Sequence, residues 1–257
     1  MKKSTFLILV ISLFFNAMNA QLKTVKYNDG DQVLNGLAIK SAKKSSQNPG
    51  ILLLPAWLGI DNASKEIAGN LSKLGYTVFI ADIYGEGNYP KNTSEAGKQA
   101  GFYKKNYEAY QKRIQLALDQ LIKSGANADN IVAIGYCFGG TGVLEAARGK
   151  LNVKGVVSFH GGLGKDAARP SEAITTKVLV CHGADDPFVS KEEIAAFQQE
   201  MRDTKADWQM IYYANSVHSF TNPEAGNDNS KGAAYNAVAA KRSFEHLLLF
   251  LNEVLKK

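Results

Sequence analysis

Cys137 lies in the stretch Ile131-Val-Ala-Ile-Gly-Tyr-Cys-Phe-Gly-Gly-Thr-Gly142, where a thiol could attack a carbonyl carbon. The apolar, β-branched run before it reads as a buried strand. Val143-Leu-Glu-Ala-Ala147 after it suits a helix, so Cys137 stands at a strand–turn–helix elbow in the place a serine usually takes. An elbow holds its nucleophile in a strained backbone conformation, and Gly135 and Gly139 supply neighbours with almost no side chain. The same pattern also describes a glycine-rich turn with an inert, buried cysteine. Residues later in the chain decide between the two. A thiol attacks as thiolate, which calls for a base to take its proton and an acid to orient that base. Asp185 and Asp186 come after an apolar strand, and Asp186 is preferred because Pro187 turns the chain rigidly after it; the other aspartate is left a turn role. His218 lies beyond the last strand and before the last helix, which gives the order nucleophile, acid, base that elbow enzymes show. Two N–H donors are also needed for a developing oxyanion. These are expected from Phe138, directly after the thiol, and from Trp57, in the loop after an early strand. His160 and His182 lie at strand ends as pocket-lining or structural hydrogen-bonding groups, and His246 as a plain helix residue. No HExxH or Cys/His cluster suggests a metal site, and no cofactor is expected.

Such residues must be held by a scaffold, and the hydrophobic pattern supplies one. Thr24 to Tyr27 and Val33 to Ile39 flank Asn28-Asp29-Gly30-Asp31, which reads as a hairpin. Ile51-Leu-Leu-Leu54, Tyr76 to Tyr84, Val153 to Phe159 and Lys177 to Cys181 read as strands covered on both faces, and Trp208 to Tyr213 as another. Between them lie helical segments: Asp61 or Asn62 to Leu74, stopped by Gly75; Phe102 to Lys123, with Ile114, Ala117, Leu118, Leu121 and Ile122 on one face; Ser190 to Asp203; and Ala233 to Leu255. Gly85 to Gly101 reads as a long irregular excursion of the lid or binding-loop kind. Tyr89, Phe102, Tyr103 and Tyr107, in and beside it, serve either a partly apolar pocket or core packing. Strands alternating with helices imply an α/β fold with a mostly parallel central sheet and helices on both faces. Every candidate residue falls at a carboxyl end of a strand, where such sheets carry their chemistry.

The residues resemble the dienelactone hydrolases, α/β-hydrolases with a Cys-Asp-His triad. The likeness is carried by Gly135-Tyr-Cys-Phe-Gly-Gly140, Gly183-Ala-Asp-Asp-Pro-Phe-Val189 and His218-Ser-Phe220. Ile51 to Ile60 and Ala81-Asp-Ile-Tyr84 extend it over essentially the whole chain after residue 20. The resemblance implies Cys137 as nucleophile, Asp186 as acid, His218 as base, and Trp57 and Phe138 as oxyanion donors. Two positions depart from the family. Ala56 stands where the best-known members carry a glutamate that helps form the thiolate, and Glu86 where they carry an arginine that binds a substrate carboxylate. A substrate anion beside Glu86 would be repelled, so the triad transfers and the dienelactone substrate does not.

Composition bounds the rest. The chain has 257 residues with 30 Lys and Arg against 24 Asp and Glu, a formal charge of +6. Met1-Lys-Lys, the apolar run Phe6 to Phe15 and Ala20 describe a signal peptide over residues 1–20. The run is too short to span a bilayer, which takes about 20 residues. A retained N-terminal anchor is the alternative. Cleavage would remove two lysines and leave 237 residues at +4, enough for one α/β domain over 21–257. The scattered lysines form no nucleic-acid-binding stripe. Cys137 and Cys181 are the two cysteines. If each ends a strand with a third between, they lie too far apart for a disulfide and stay free thiols. These features describe a secreted or periplasmic, cofactor-free hydrolase of small esters, lactones or thioesters. It would work through an acyl-thioenzyme, without nucleic-acid partners or stable membrane insertion. A non-catalytic binding protein of the same fold is the second reading, favoured by Ala56, and a thiol redox sensor the third.

Overall fold

A computed structural model describes residues 21–257, so the signal-peptide expectation for 1–20 lies outside the described residues. In chain order the elements are β1 (Lys23–Asp29), β2 (Gln32–Ile39), β3 (Gly50–Leu54), α1 (Asn62–Leu74), β4 (Thr77–Ile80), α2 (Thr93–Lys105) and α3 (Tyr107–Lys123). They continue as β5 (Ile131–Tyr136), α4 (Phe138–Arg148), β6 (Gly155–Phe159), β7 (Lys177–Gly183), α5 (Lys191–Asp203), β8 (Trp208–Tyr213) and α6 (Ala237–Val254). Eight strands form one sheet in the order β1-β2-β4-β3-β5-β6-β7-β8. The β1–β2 and β2–β4 pairs are antiparallel; all others are parallel. The α/β expectation of a mostly parallel sheet is met, and this is the α/β-hydrolase architecture.

The inner strands β3 to β7 are mostly apolar because the sheet is covered on both sides there, and alternation assigns each residue to a side. Leu52 and Leu54 pack into a layer with Ile114 and Leu118 of α3, Val143 of α4 and Phe197 of α5. Ile51 and Leu53 point the other way, towards Ala68 and Leu71 of α1 and Leu247 and Leu251 of α6. Helix α1 starts and stops where its sequence says. Asp61 and Ser64 form a reciprocal capping box, and Gly75 ends the helix at φ 109°.

Four boundaries differ from the sequence reading. The strand expected over Tyr76 to Tyr84 pairs only over β4, because the buried Asp82 carboxylate accepts the N–H groups of Tyr84 (3.1 Å) and Gly85 (2.9 Å) and turns the chain. The excursion from Gly85 is half helix. Asn92 caps α2 through the Glu95 N–H (2.9 Å), a start masked by Gly97 and Gly101 in the turns after it. The helix expected over Phe102 to Lys123 is two, broken at Asn106 (φ −109°, ψ 65°). Helix α6 begins four residues late. Asn236 caps Val238 and Ala239, while Ala233 forms a parallel bridge to His218.

Candidate active site

The elbow is built by close approach of backbones. Cys137 adopts φ 53°, ψ −112°, outside the comfortable region for a residue with a side chain. Its N–H donates to Phe159 O of β6 (3.0 Å), and its carbonyl accepts Thr141 N–H (3.2 Å) as α4 begins. A Cβ on Gly139 would meet the Leu54 and Pro55 carbonyls, the latter at 2.7 Å; one on Gly140 would meet Gly161 Cα at 2.8 Å. These glycines let α4 start flush against the ends of β3 and β6, with Cys137 Sγ at the helix N-terminus.

Three side chains from different parts of the chain converge there. His218 Nε2 lies 3.0 Å from Cys137 Sγ, and His218 Nδ1 lies 2.9 Å from Asp186 Oδ2. The second Asp186 oxygen accepts the Phe188 N–H at 2.9 Å. Asp186 is buried, whereas Asp185 is exposed and, among the described residues, engages Ser216 O through its backbone N–H alone. His218 is held by its own backbone: its N–H donates to Gly232 O (3.1 Å) and its carbonyl accepts Ala234 N–H (3.0 Å). Gly183 allows the end of β7 to press against this loop, since a Cβ there would sit 2.7 Å from Val217 O. Phe188 meets the His218 ring edge-on at 5.4 Å between centroids, and His160 does so at 5.2 Å.

The electrostatics separate the histidines. Burial works against the charged form of His218, but its hydrogen bonds and charge contacts with Asp186 and Cys137 prevail and push it up to about 9. Burial likewise raises the Cys137 thiol. The hydrogen bond and charge of His218 outweigh this, helped by the Lys104 charge and the Phe138 N–H, and hold the thiol below its usual value. Both shifts favour a thiolate–imidazolium pair over a neutral thiol beside a neutral imidazole. His160 is pushed well below the usual histidine range by burial and by the His218 charge, and its Nε2 lies 2.8 Å from Thr221 Oγ1. His160 lines the cavity as a neutral group; His182 does not line it, and its Nδ1 has no partner among the described residues. His246 stands in α6 with Nδ1 2.7 Å from the Tyr213 hydroxyl. Cys181 is fully buried in β7, with β6 between it and Cys137; both thiols are free, and burial pushes Cys181 up to about 12.

Cys137 and His218 open onto a cavity of about 450 Å³. Its walls are mainly apolar: Pro55, Ala56, Trp57, Leu58, Ile67 and Phe188 contribute, with Asp61 and Lys104 among the polar lining. The Phe138 N–H bears on the sulfur and Trp57 lines the same cavity as Cys137, and the Trp57 N–H has no acceptor among the described residues. The expectation for Glu86 needs correction. Glu86 does not line the cavity. It is exposed and its carboxylate faces Asn35 (3.4 Å), because the Asp82 turn carries residues 86–88 outward, so it does not stand beside a ligand held in the cavity. Nor do Tyr89, Phe102, Tyr103 or Tyr107 line it; Tyr103 packs in the core. Lys104, a cation bearing on the thiol, was not singled out from the sequence, where it lay within what read as one continuous helix. Among the described residues no group of three or more His, Cys, Asp or Glu side chains could hold a metal ion, and no helix is long and apolar enough to cross a membrane.

The sequence profile of the dienelactone hydrolase family matches residues 34–255. This chain belongs to that family. Family membership makes it a hydrolase of carboxylic esters or lactones. A crystal structure described as a dienelactone hydrolase-like promiscuous phosphotriesterase from metagenomic libraries superposes with a TM-score of 0.86. It is 35% identical, with 93% of this chain and 100% of that chain covered. An uncharacterised protein of Caenorhabditis elegans is 37% identical over 145 residues, 55% of this chain and 91% of the relative. A probable 2-oxo-3-(5-oxofuran-2-ylidene)propanoate lactonase of Bradyrhizobium is 24% identical over 212 residues, 79% of this chain and 83% of the relative.

Proposed function

We propose that this dienelactone hydrolase family member is a cysteine hydrolase of small esters, lactones or thioesters, working through an acyl-thioenzyme in the periplasm or outside the cell. The observation that carries the reading is the continuous line Cys137 Sγ–His218 Nε2 (3.0 Å) and His218 Nδ1–Asp186 Oδ2 (2.9 Å) opening on one cavity. The lowered thiol supplies the nucleophile without the glutamate that Ala56 replaces. Export rests on residues 1–20 of the sequence.

In the proposed reaction the Cys137 thiolate adds to the carbonyl carbon, and the negative oxygen formed is met by the Phe138 and Trp57 N–H groups. As the tetrahedral adduct collapses, the C–O bond to the alcohol breaks and the His218 imidazolium gives its proton to the departing alkoxide. A thioester remains. The sulfur has then lost its charge, so His218 loses one of the two partners that held its proton and becomes a base suited to neutral pH. It takes a proton from water, hydroxide adds to the thioester, the acid leaves and the thiolate–imidazolium pair is restored. Asp186 keeps the imidazole in the tautomer that faces sulfur and stabilises its cation.

Support for substrate size comes from the 450 Å³ apolar cavity, which fits a compact acyl or lactone ring better than a long polar chain. The lactonase name carried by the Bradyrhizobium relative points the same way. The deciding experiment is turnover of a panel of small esters and lactones by residues 21–257, beside Cys137→Ala with its fold checked by circular dichroism. Hydrolysis by the wild type that falls at least about 10³-fold in the variant is expected. Hydrolysis undiminished in Cys137→Ala would remove Cys137 from the mechanism.

A further inference from the structure

We infer that Tyr84 and Tyr110 are positioning residues that clamp Phe138 between them and fix the Trp57 and Phe138 amides at one spacing around Cys137. The inference rests on the proposed hydrolase mechanism, in which those amides receive the oxyanion.

Three rings make the clamp. Phe138 stacks on Tyr110 at 4.6 Å between centroids and 3° between planes, and on Tyr84 at 5.7 Å and 14°. Tyr103 packs obliquely against all three, at 6.1 Å from Tyr84, 5.7 Å from Tyr110 and 6.4 Å from Phe138. All four rings are buried. The two outer hydroxyls are then used in parallel ways. Tyr84 OH donates to Trp57 O at 2.7 Å, and Tyr110 OH donates to Phe138 O at 3.0 Å. Each tyrosine therefore holds the carbonyl of one amide-bearing residue, while its ring presses on the same phenylalanine.

The peptide planes on the other side of each amide are held as well. The plane containing Trp57 N–H also contains Ala56 O, which accepts Gly59 N–H at 2.9 Å. The plane containing Phe138 N–H also contains Cys137 O, which accepts Thr141 N–H at 3.2 Å. With both flanking planes fixed, neither amide can swing, and the stack ties the two to one another across the break between β3 and α4. Tyr84 is itself anchored: its N–H donates to Asp82 Oδ1, and Asp82 O accepts the Tyr27 hydroxyl at 3.1 Å. Gly142 makes room for Tyr110, since a Cβ there would run into the phenol. Burial raises both phenols far above the usual range, so they stay protonated donors at any working pH.

Two reactions at the same sulfur separate this role from a general structural one. Acylation of Cys137 by p-nitrophenyl acetate creates an oxyanion; alkylation by iodoacetamide displaces iodide and creates none. Wild type, Cys137→Ala, Tyr84→Phe and Tyr110→Phe would be compared in both, with alkylation run at pH 6, where an unfolded thiol reacts slowly. In each Phe variant the expected result is an acylation kcat lowered roughly tenfold, less than the roughly 10²–10³-fold cost of deleting a donor outright, with KM within about twofold. Alkylation should match the wild type. Acylation and alkylation falling together, or neither falling, would overturn the clamp. Should Tyr84→Phe fail to fold, Tyr110→Phe carries the test, because it grips the other residue. Wild-type acylation that persists in Cys137→Ala would instead overturn the underlying hydrolase reading, and a Cys137-dependent wild type with indifferent Phe variants would overturn the clamp alone.

Discussion

At the scale of single residues, the proposed chemistry depends on two protonation states held away from their ordinary values, the imidazole by Asp186 and Cys137 and the thiol chiefly by His218. The ion pair exists above the lowered thiol pKa and below the raised imidazole pKa, so acylation needs a pH between the two. Above about 9 His218 gives up the proton that the departing alkoxide requires; below the thiol value sulfur is protonated and cannot attack. The dependence of kcat/KM on pH is therefore expected to be bell-shaped, with its alkaline limb near 9 and its acid limb below the usual thiol range. An alkaline limb near 6.5 would show that the free enzyme holds His218 as an unpaired imidazole. Cys137, Asp186 and His218 were legible in sequence because each sits in a short local pattern, an elbow, an Asp-Asp-Pro turn and a His after the last strand. Lys104 and the Tyr84–Phe138–Tyr110 stack were not. Their positions depend on where α2 breaks from α3 and on the Asp82 turn, and no local pattern states how such segments pack. Glu86 shows the reverse: its correspondence to a substrate-binding arginine of the family suggested the cavity, and one turn of backbone sent it outward.

Among the elements, the four residues between the expected and observed starts of α6 matter most. Ala233 to Asn236 read as helix because alanine favours helix, yet they form none, and Ala233 and Ala234 lie beside His218. Asn236 decides the boundary. Its Oδ1 caps Val238 and Ala239 (both 3.1 Å), and its Nδ2 reaches Asn215 O (3.0 Å) and Ser216 Oγ (3.1 Å) on the strand side of the His218 loop. Asn236→Ala is expected to lower stability by about 1–2 kcal/mol, the cost of a lost cap, read as a shift in the urea midpoint with an unchanged slope. An unchanged midpoint would mean the cap contributes nothing. The caps that sequence did reveal, Asp61 with Gly75 and Ser190, bracket helices whose first turns carry no competing signal. Helix α2 was missed because two glycines come after its cap.

For the whole molecule, the sheet order was legible only as a class. Apolar strands alternating with helices imply a parallel sheet buried on both sides, but the β1–β2 hairpin joining through an antiparallel β2–β4 edge comes from pairing that no single stretch encodes. The separation of the thiols was legible, because a strand between two strands fixes their distance. Cys137 opens on the cavity and Cys181 is enclosed by the layer containing Tyr213 and Phe220. Titration of the native protein with Ellman's reagent should thus show one fast thiol, and two after denaturation. Two fast thiols in the native state, or none after denaturation without reductant, would contradict the packing described.

The His218–Ala233 bridge also bears on how this scaffold could be altered. Residues 219–232 leave the cavity wall and return to it through a neck closed by two backbone hydrogen bonds, with Asn236 N–H on Phe220 O (3.0 Å) as a further tie. Beyond the neck the tip from Pro223 to Lys231 is almost all exposed. A closed neck uncouples the two ends of such a loop: lengthening a loop costs chain entropy only logarithmically, and the strain of new sequence stays on the far side of the tie. The tip around Asn227 and Asp228 is thus a natural grafting point, where a recognition segment could be spliced beside the cavity mouth while the imidazole keeps its place.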